Sequence, residues 1–160
     1  MAFIDRQNDN DSTEPTFYNL NEAVGVGCKN QDEDVRLVQF FLKRIYLNEA
    51  MRARTPKGEM KVDGKCGAIT RNWILKFQLD LRNAGRNVFP DGVVNRAQNG
   101  AVNSSLSRTV YVIRYLNTAM RKFEPLIYRT LPVHPDVPPE LRLAFLQMQA
   151  AGPAMVYGRD

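Results

Sequence analysis

Two Asp-Gly turns, "VDGKCG" at 62–67 and "FPDGVVN" at 89–95, bracket one periodic helical stretch, and this arrangement restricts the chain more than any other feature. In such a turn the Asp carboxylate accepts nearby backbone N–H groups, and Gly adopts the positive φ that other residues resist. Between the turns, "AITRNWILKFQLDLRNAG" places Ile69, Trp73, Phe77 and Leu81 four residues apart, joined by Ile74, with Gly85 as the terminating C′ residue. Two turns bracketing one helix, each leading into a further helix, predict a compact helical unit with short extended pieces at the turns.

Three more segments carry helical periodicity. "DEDVRLVQFFLKRIYL" repeats Val35, Val38, Leu42 and Ile45 on one face, widened by Leu37 and Phe41, and Asn30 with Glu33 resembles a capping box. "SSLSRTVYVIRYLNTAMRKF" aligns Leu106, Val110, Ile113, Leu116, Met120 and Phe123, with serines as N-cap. "PPELRLAFLQMQAAG" predicts a short helix with Pro139 in its first turn and Gly152-Pro153 as the stop. The main helices are expected near 33–47, 68–84 and 104–122, around Val38, Leu42, Ile74, Phe77, Val110 and Ile113. Between the last two helical segments, "EPLIYRTLPVHPDVPPE" holds five of the nine prolines and predicts an extended strap, laid on the core by Leu126, Ile127, Tyr128, Leu131 and Val133.

Charge divides the chain unequally. Residues 1–34 carry eight acids and two bases, whereas residues 35–160 carry twenty bases and nine acids. The beginning reads as an acidic flexible arm over 1–20. The basic body suits an anionic partner or simply a solubilising surface. The opening residues show neither a basic region nor an apolar core of the secretory kind, which predicts a chain that is cytoplasmic as synthesised, or that reaches the periplasm or exterior by a signal-independent route. No apolar run approaches membrane-spanning length. Cys28 and Cys66 are expected as reduced thiols acting as small apolar residues, a disulfide between them being the alternative. One His and two Cys do not compose a zinc site, so no metal and no cofactor are expected.

In order along the chain, these pieces resemble the peptidoglycan-binding domain family. "DVRLVQFFL" is similar to its first helix through Asp34, Val35, Val38, Gln39 and Leu42. "VDGKCGAITRNWILKFQ" is similar to its central motif through Val62, Asp63, Gly64, Gly67, Thr70, Ile74, Phe77 and Gln78. "DGVVN" at 91–95 resembles the second turn, and the similarity runs over about 24–120. Cys66 stands where the family usually has Phe or Tyr, and Trp73 where a small residue is common. With "VGVGCKNQDEDVRLVQ", this looks like the branch without export signals, some members of which are linked to contractile secretion or phage-like systems.

The resemblance implies an all-α fold: a three-helix domain over 21–123 with Asp-Gly turns, then a Pro-rich strap and a short tail helix over 124–160. Asp63, Gly64, Gly67, Thr70, Asp91 and Gly92 are read as fold-defining (turns, close approach and helix cap), and Gln39 and Gln78 as bonding backbone across the helix pair. The function implied is a non-catalytic peptidoglycan-binding module. Its groove needs an aromatic platform, amide donors and bases, for which Lys65, Arg71, Asn72, Trp73 and Arg96 are the candidates, with a core role as the competing reading of Trp73. The alternative is an adaptor subunit that reuses the fold to hold a secretion-related partner protein. Nucleic acid is not expected, because Arg114, Arg121, Lys122 and Arg129 read as a solvated helix face without a groove-reading motif. Nor is an enzyme: His134 in "PVHPD" has only Asp136 near it, and Asp63 and Asp91 are turn acids.

Overall fold

The computed structural model describes residues 3–6, 16–98 and 109–151. The chain is about 50% helical with small antiparallel sheets, which corrects the all-α expectation to a mixed, mostly helical fold. Strand β1 (Phe3–Arg6) pairs with β2 (Thr16–Asn19), Phe3 opposite Asn19 and Arg6 opposite Thr16. Strand β3 (Val24–Gly25) pairs with β4 (Val93–Val94), directly after the second Asp-Gly turn. Strands of four and two residues are too short for alternation to stand out in a sequence, so pattern alone does not disclose them.

The helices are α1 (Asp32–Leu47), α2 (Ala68–Asn83), α3 (Val112–Phe123), α4 (Pro125–Arg129) and α5 (Pro139–Ala151). Helix α1 is the hub and touches α2, α3, α5 and β3. It therefore buries most of its circumference: Val35, Leu37, Val38, Phe40, Phe41, Leu42, Ile45 and Tyr46 are all within the core. Its N-cap is Gln31 with no side-chain cap bond, so the Asn30–Glu33 box does not form. Asn30 instead takes a positive φ of 51° and turns its side chain onto Gly25, accepting from the amide N–H and donating to the carbonyl. Helix α2 ends as expected, in a Schellman motif: Gly85 N–H reaches the Arg82 carbonyl and Arg86 N–H the Leu81 carbonyl, with Gly85 at φ 85°.

Three further expectations are corrected. The third helix starts at Val112, not 104: Val110 N–H bonds the Asn87 carbonyl, and Leu106 with its serines lies outside the described residues. The strap is not extended, because Pro125 opens α4. At the first helical position its missing N–H costs nothing and its φ is already suitable. Ile127, Tyr128, Leu131 and Val137 are buried there, while Leu126 and Val133 face outward.

The end of the supposed arm belongs to the core. Phe17, Tyr18 and Leu20 are buried, and the Tyr18 ring meets Phe41, Tyr128 and Phe145 edge-on with centroids 6.2, 5.2 and 5.0 Å away. One strand residue thus joins α1, α4 and α5. Residues 7–15, the acidic centre of that arm, lie outside the described residues.

Candidate functional site

The two Asp-Gly turns are held by one device used twice. Gln39 on α1 is 1% exposed; its Oε1 accepts from Asp63 and Gly64 N–H at 3.1 and 2.9 Å. Its Nε2 donates to Asp63 Oδ1, the Lys65 carbonyl and Thr70 Oγ1 at 3.0, 3.0 and 2.9 Å. Gln78 on α2 repeats this on the second turn: Oε1 accepts from Gly92 N–H at 2.7 Å, and Nε2 donates to Asp91 Oδ1 and the Val93 carbonyl, both at 3.0 Å. Asp63 and Asp91 each receive the N–H two residues on, at Lys65 and Val93. That Lys65 amide, followed by the Gln39 amide, holds the Asp63 carboxyl below the ordinary Asp range. Gly64 and Gly92 sit at φ 78° and 74°.

Other members of the motif act differently from expectation. Gly67 is the α2 N-cap, and a Cβ there would meet nothing within 4 Å, so it is not a point of close approach. The close approach is at Gly25, where a Cβ would lie 2.4 Å from the Gly92 carbonyl oxygen. Thr70 does not cap the helix; it is buried and accepts from Gln39.

Sequence pattern missed two further buried amides. Asn117 on α3 accepts from Tyr18 N–H and donates to the Tyr18 carbonyl, both at 2.9 Å, clamping β2 onto the helix. Asn19 does the same to Ala97, accepting its N–H at 3.0 Å and donating to its carbonyl at 2.7 Å. A polar residue inside the Ile113–Leu116–Met120 stripe was the one available signal for Asn117. Asp34, also fully buried, accepts from Asn21 and Glu22 N–H at 3.0 Å. Burial pushes its carboxyl up, and these N–H groups pull it back.

The candidate ligand residues divide. Lys65, Arg71 and Asn72 are exposed at the first turn and the start of α2, and Arg96 is half-buried after β4. Trp73 is corrected to a core residue: 5% exposed, it packs edge-on against Tyr46 at 5.6 Å and spends its indole N–H on the Lys57 carbonyl. The helical repeat that groups it with Phe77 turns it away from Arg71, so it is no aromatic platform. Arg71, Leu75, Leu79 and Arg82, spaced i, i+4, i+8 and i+11, form an exposed stripe along α2.

Cys28 and Cys66 are free and half-buried. Burial raises both thiols above their ordinary range; Arg71 opposes this at Cys66, and Asp91 reinforces it at Cys28. His134 Nδ1 accepts Asp136 N–H at 3.1 Å within an exposed turn. Arg114 lies 4.0 Å over the Phe17 ring and Arg121 5.2 Å from Tyr128, so two of the bases on the supposed solvated face pack on aromatics. Among the described residues no cluster of three His, Cys, Asp or Glu could hold a metal, and no helix is long and apolar enough to cross a membrane.

No protein-family model, curated protein or solved structure matches this chain.

Proposed function

We propose that this chain is a non-catalytic binding module for peptidoglycan, engaged through the exposed stripe of α2 and the Asp-Gly turn at its start. The observation that carries the reading is the one-sided charge of residues 65–90. Lys65, Arg71, Lys76, Arg82 and Arg86 are basic, and the sole acid, Asp80, is buried and already paired with Lys76 and Tyr46. Cations so placed suit the stem-peptide carboxylates of the polymer, the Asn72 carboxamide suits its amides, and Leu75 and Leu79 offer apolar contact. The Gln39 clasp makes the turn carrying Lys65 rigid, which lowers the ordering cost of binding. Trp73 has no part in this site.

The test is co-sedimentation with sacculi stripped of attached protein. Binding that persists in part at about 0.5 M salt, where the Debye length is roughly 4 Å, and that soluble muropeptides compete away supports recognition beyond charge. Absence of sedimentation at low salt, or binding that muropeptides do not displace, overturns it. The second reading, an adaptor for a secretion-related or phage-like protein assembly, is favoured by a specific observation: Leu126, Val133 and Leu143 are 68%, 63% and 55% exposed on the C-terminal quarter.

A further inference from the structure

The open side of α2 is ordered by polarity across the helix. At about 100° per residue, Arg71 and Arg82 form one margin of the exposed arc, Leu75 and Leu79 its middle, and Lys76 the other margin. The two leucines are 37% and 39% exposed, one turn apart. Lys76 is neutralised by Asp80, so the free charge on its side comes from the loop alongside. Arg54 borders the narrow cleft beside Asp80 that Lys76 and Asn83 also line. The Lys57 carbonyl takes the Trp73 indole N–H at 3.3 Å, and a Cβ on Gly58 would lie 3.1 Å from Ile69 Cγ1, so this loop follows the same edge of the helix.

Both margins therefore carry uncompensated cations. Arg54, Lys57, Arg71 and Arg82 are exposed and make no ion pair with another described residue. Against them, residues 52–61 hold one acid, Glu59, among four bases, and Asp80, the acid of α2, is buried under Tyr46 and Lys76. An apolar strip between two cationic rows suits a helix lying in the plane of a bilayer. Leucine enters the acyl boundary there, and long basic side chains reach back to the phosphates. The 16 residues of α2 give this strip a length of about 24 Å. A partner offering phosphates alone, such as a nucleic acid, would match the margins and leave the leucines without an apolar contact.

We propose that this face of α2 docks on an anionic lipid bilayer, with Leu75 and Leu79 toward the acyl chains and Arg54, Lys57, Arg71 and Arg82 toward the headgroup phosphates. The proposal goes beyond the cell-wall reading, which takes part of the same face, and does not rest on it. Vesicles contain no peptidoglycan and stripped sacculi no bilayer, so either test can fail alone.

The test is flotation of the full chain with vesicles of equal parts phosphatidylcholine and phosphatidylglycerol, against phosphatidylcholine alone. Binding to the anionic vesicles only is expected, weakened about fivefold by each of Arg54→Gln, Arg71→Gln and Arg82→Gln. Leu75→Gln combined with Leu79→Gln is expected to weaken it about tenfold at unchanged melting temperature. Arg129→Gln, an exposed base on α4, is expected to bind as the parent does, which separates this face from net charge. No flotation with anionic vesicles, equal flotation with phosphatidylcholine, or equal weakening in Arg129→Gln overturns the proposal. So does release by excess glycerol phosphate, which marks a soluble phosphate ligand. Full binding by the double leucine variant, with duplex DNA as an equal competitor, marks a phosphate surface that needs no lipid and overturns it too.

Discussion

Gln39→Leu removes a buried amide while keeping nearly the same volume, so its effect isolates the clasp from the packing around it. Five hydrogen bonds go. The exposed Lys65 carbonyl and Asp63 N–H can turn to water, and Thr70 retains the Lys65 carbonyl at 3.5 Å. The Gly64 N–H is buried and has no substitute acceptor, an orphan costing about 1–3 kcal/mol, and each remaining bond contributes about 0.5–1.5 kcal/mol net. Leucine returns part of this through apolar contact, leaving an expected loss of about 3 kcal/mol. Gln78→Leu breaks three bonds and orphans only Gly92 N–H, so about 2 kcal/mol is expected. Urea unfolding followed by far-UV circular dichroism measures both, with unchanged m-values showing that the same surface is exposed on unfolding. A loss below about 1 kcal/mol for Gln39→Leu, or a larger loss for Gln78→Leu, refutes the view that these glutamines hold the turns. Gln39→Glu adds a sign test. A buried carboxylate beside Asp63 has its folded-state pKa raised, so the variant should regain stability as the pH falls below that value.

Gly64→Val should cost about 2 kcal/mol or more by urea midpoint, because a β-branched residue is forced to positive φ with its Cβ only 3.2 Å from the Asp32 carbonyl oxygen; a neutral effect would contradict the turn geometry. Trp73→Ala should lose about 3–5 kcal/mol as a core truncation, with Trp73→Phe much milder; a stable Trp73→Ala variant that fails to bind sacculi would return Trp73 to the ligand site. Asp63 has a depressed folded-state pKa, so its contribution is complete above the ordinary Asp value of about 3.9 and is lost as the pH falls through the folded value. Urea midpoints of Asp63→Asn should therefore show a shallower acid slope than the parent, and coincident slopes would rule this out. Arg71→Ala should leave the melting temperature unchanged while weakening sacculus sedimentation, and unaltered sedimentation would remove Arg71 from the site.

What the sequence determined by itself was local. The first two helices are legible within one residue because their apolar spacing, and at α2 the terminating Gly85, act over a few turns of chain: 33–47 against Asp32–Leu47, and 68–84 against Ala68–Asn83. The turns are legible because Asp-Gly encodes its own geometry, and Gln39 and Gln78 are singled out by the motif resemblance. Tertiary structure decided everything that depends on pairing at a distance. The β1–β2 register, the Asn117 clamp on Tyr18 and the Asn19 clamp on Ala97 join residues 78 to 99 positions apart in the latter two cases, and no local period encodes such a contact. Trp73 shows the same division at the candidate site. Its spacing with Phe77 allowed either a buried or an exposed face, and only the docking of α2 against Tyr46 placed the ring inside. The stripe of Leu75 and Leu79 and the cleft beside Asp80 came to light for the same reason, since which flank of a helix remains open is settled by its neighbours and not by its own residues.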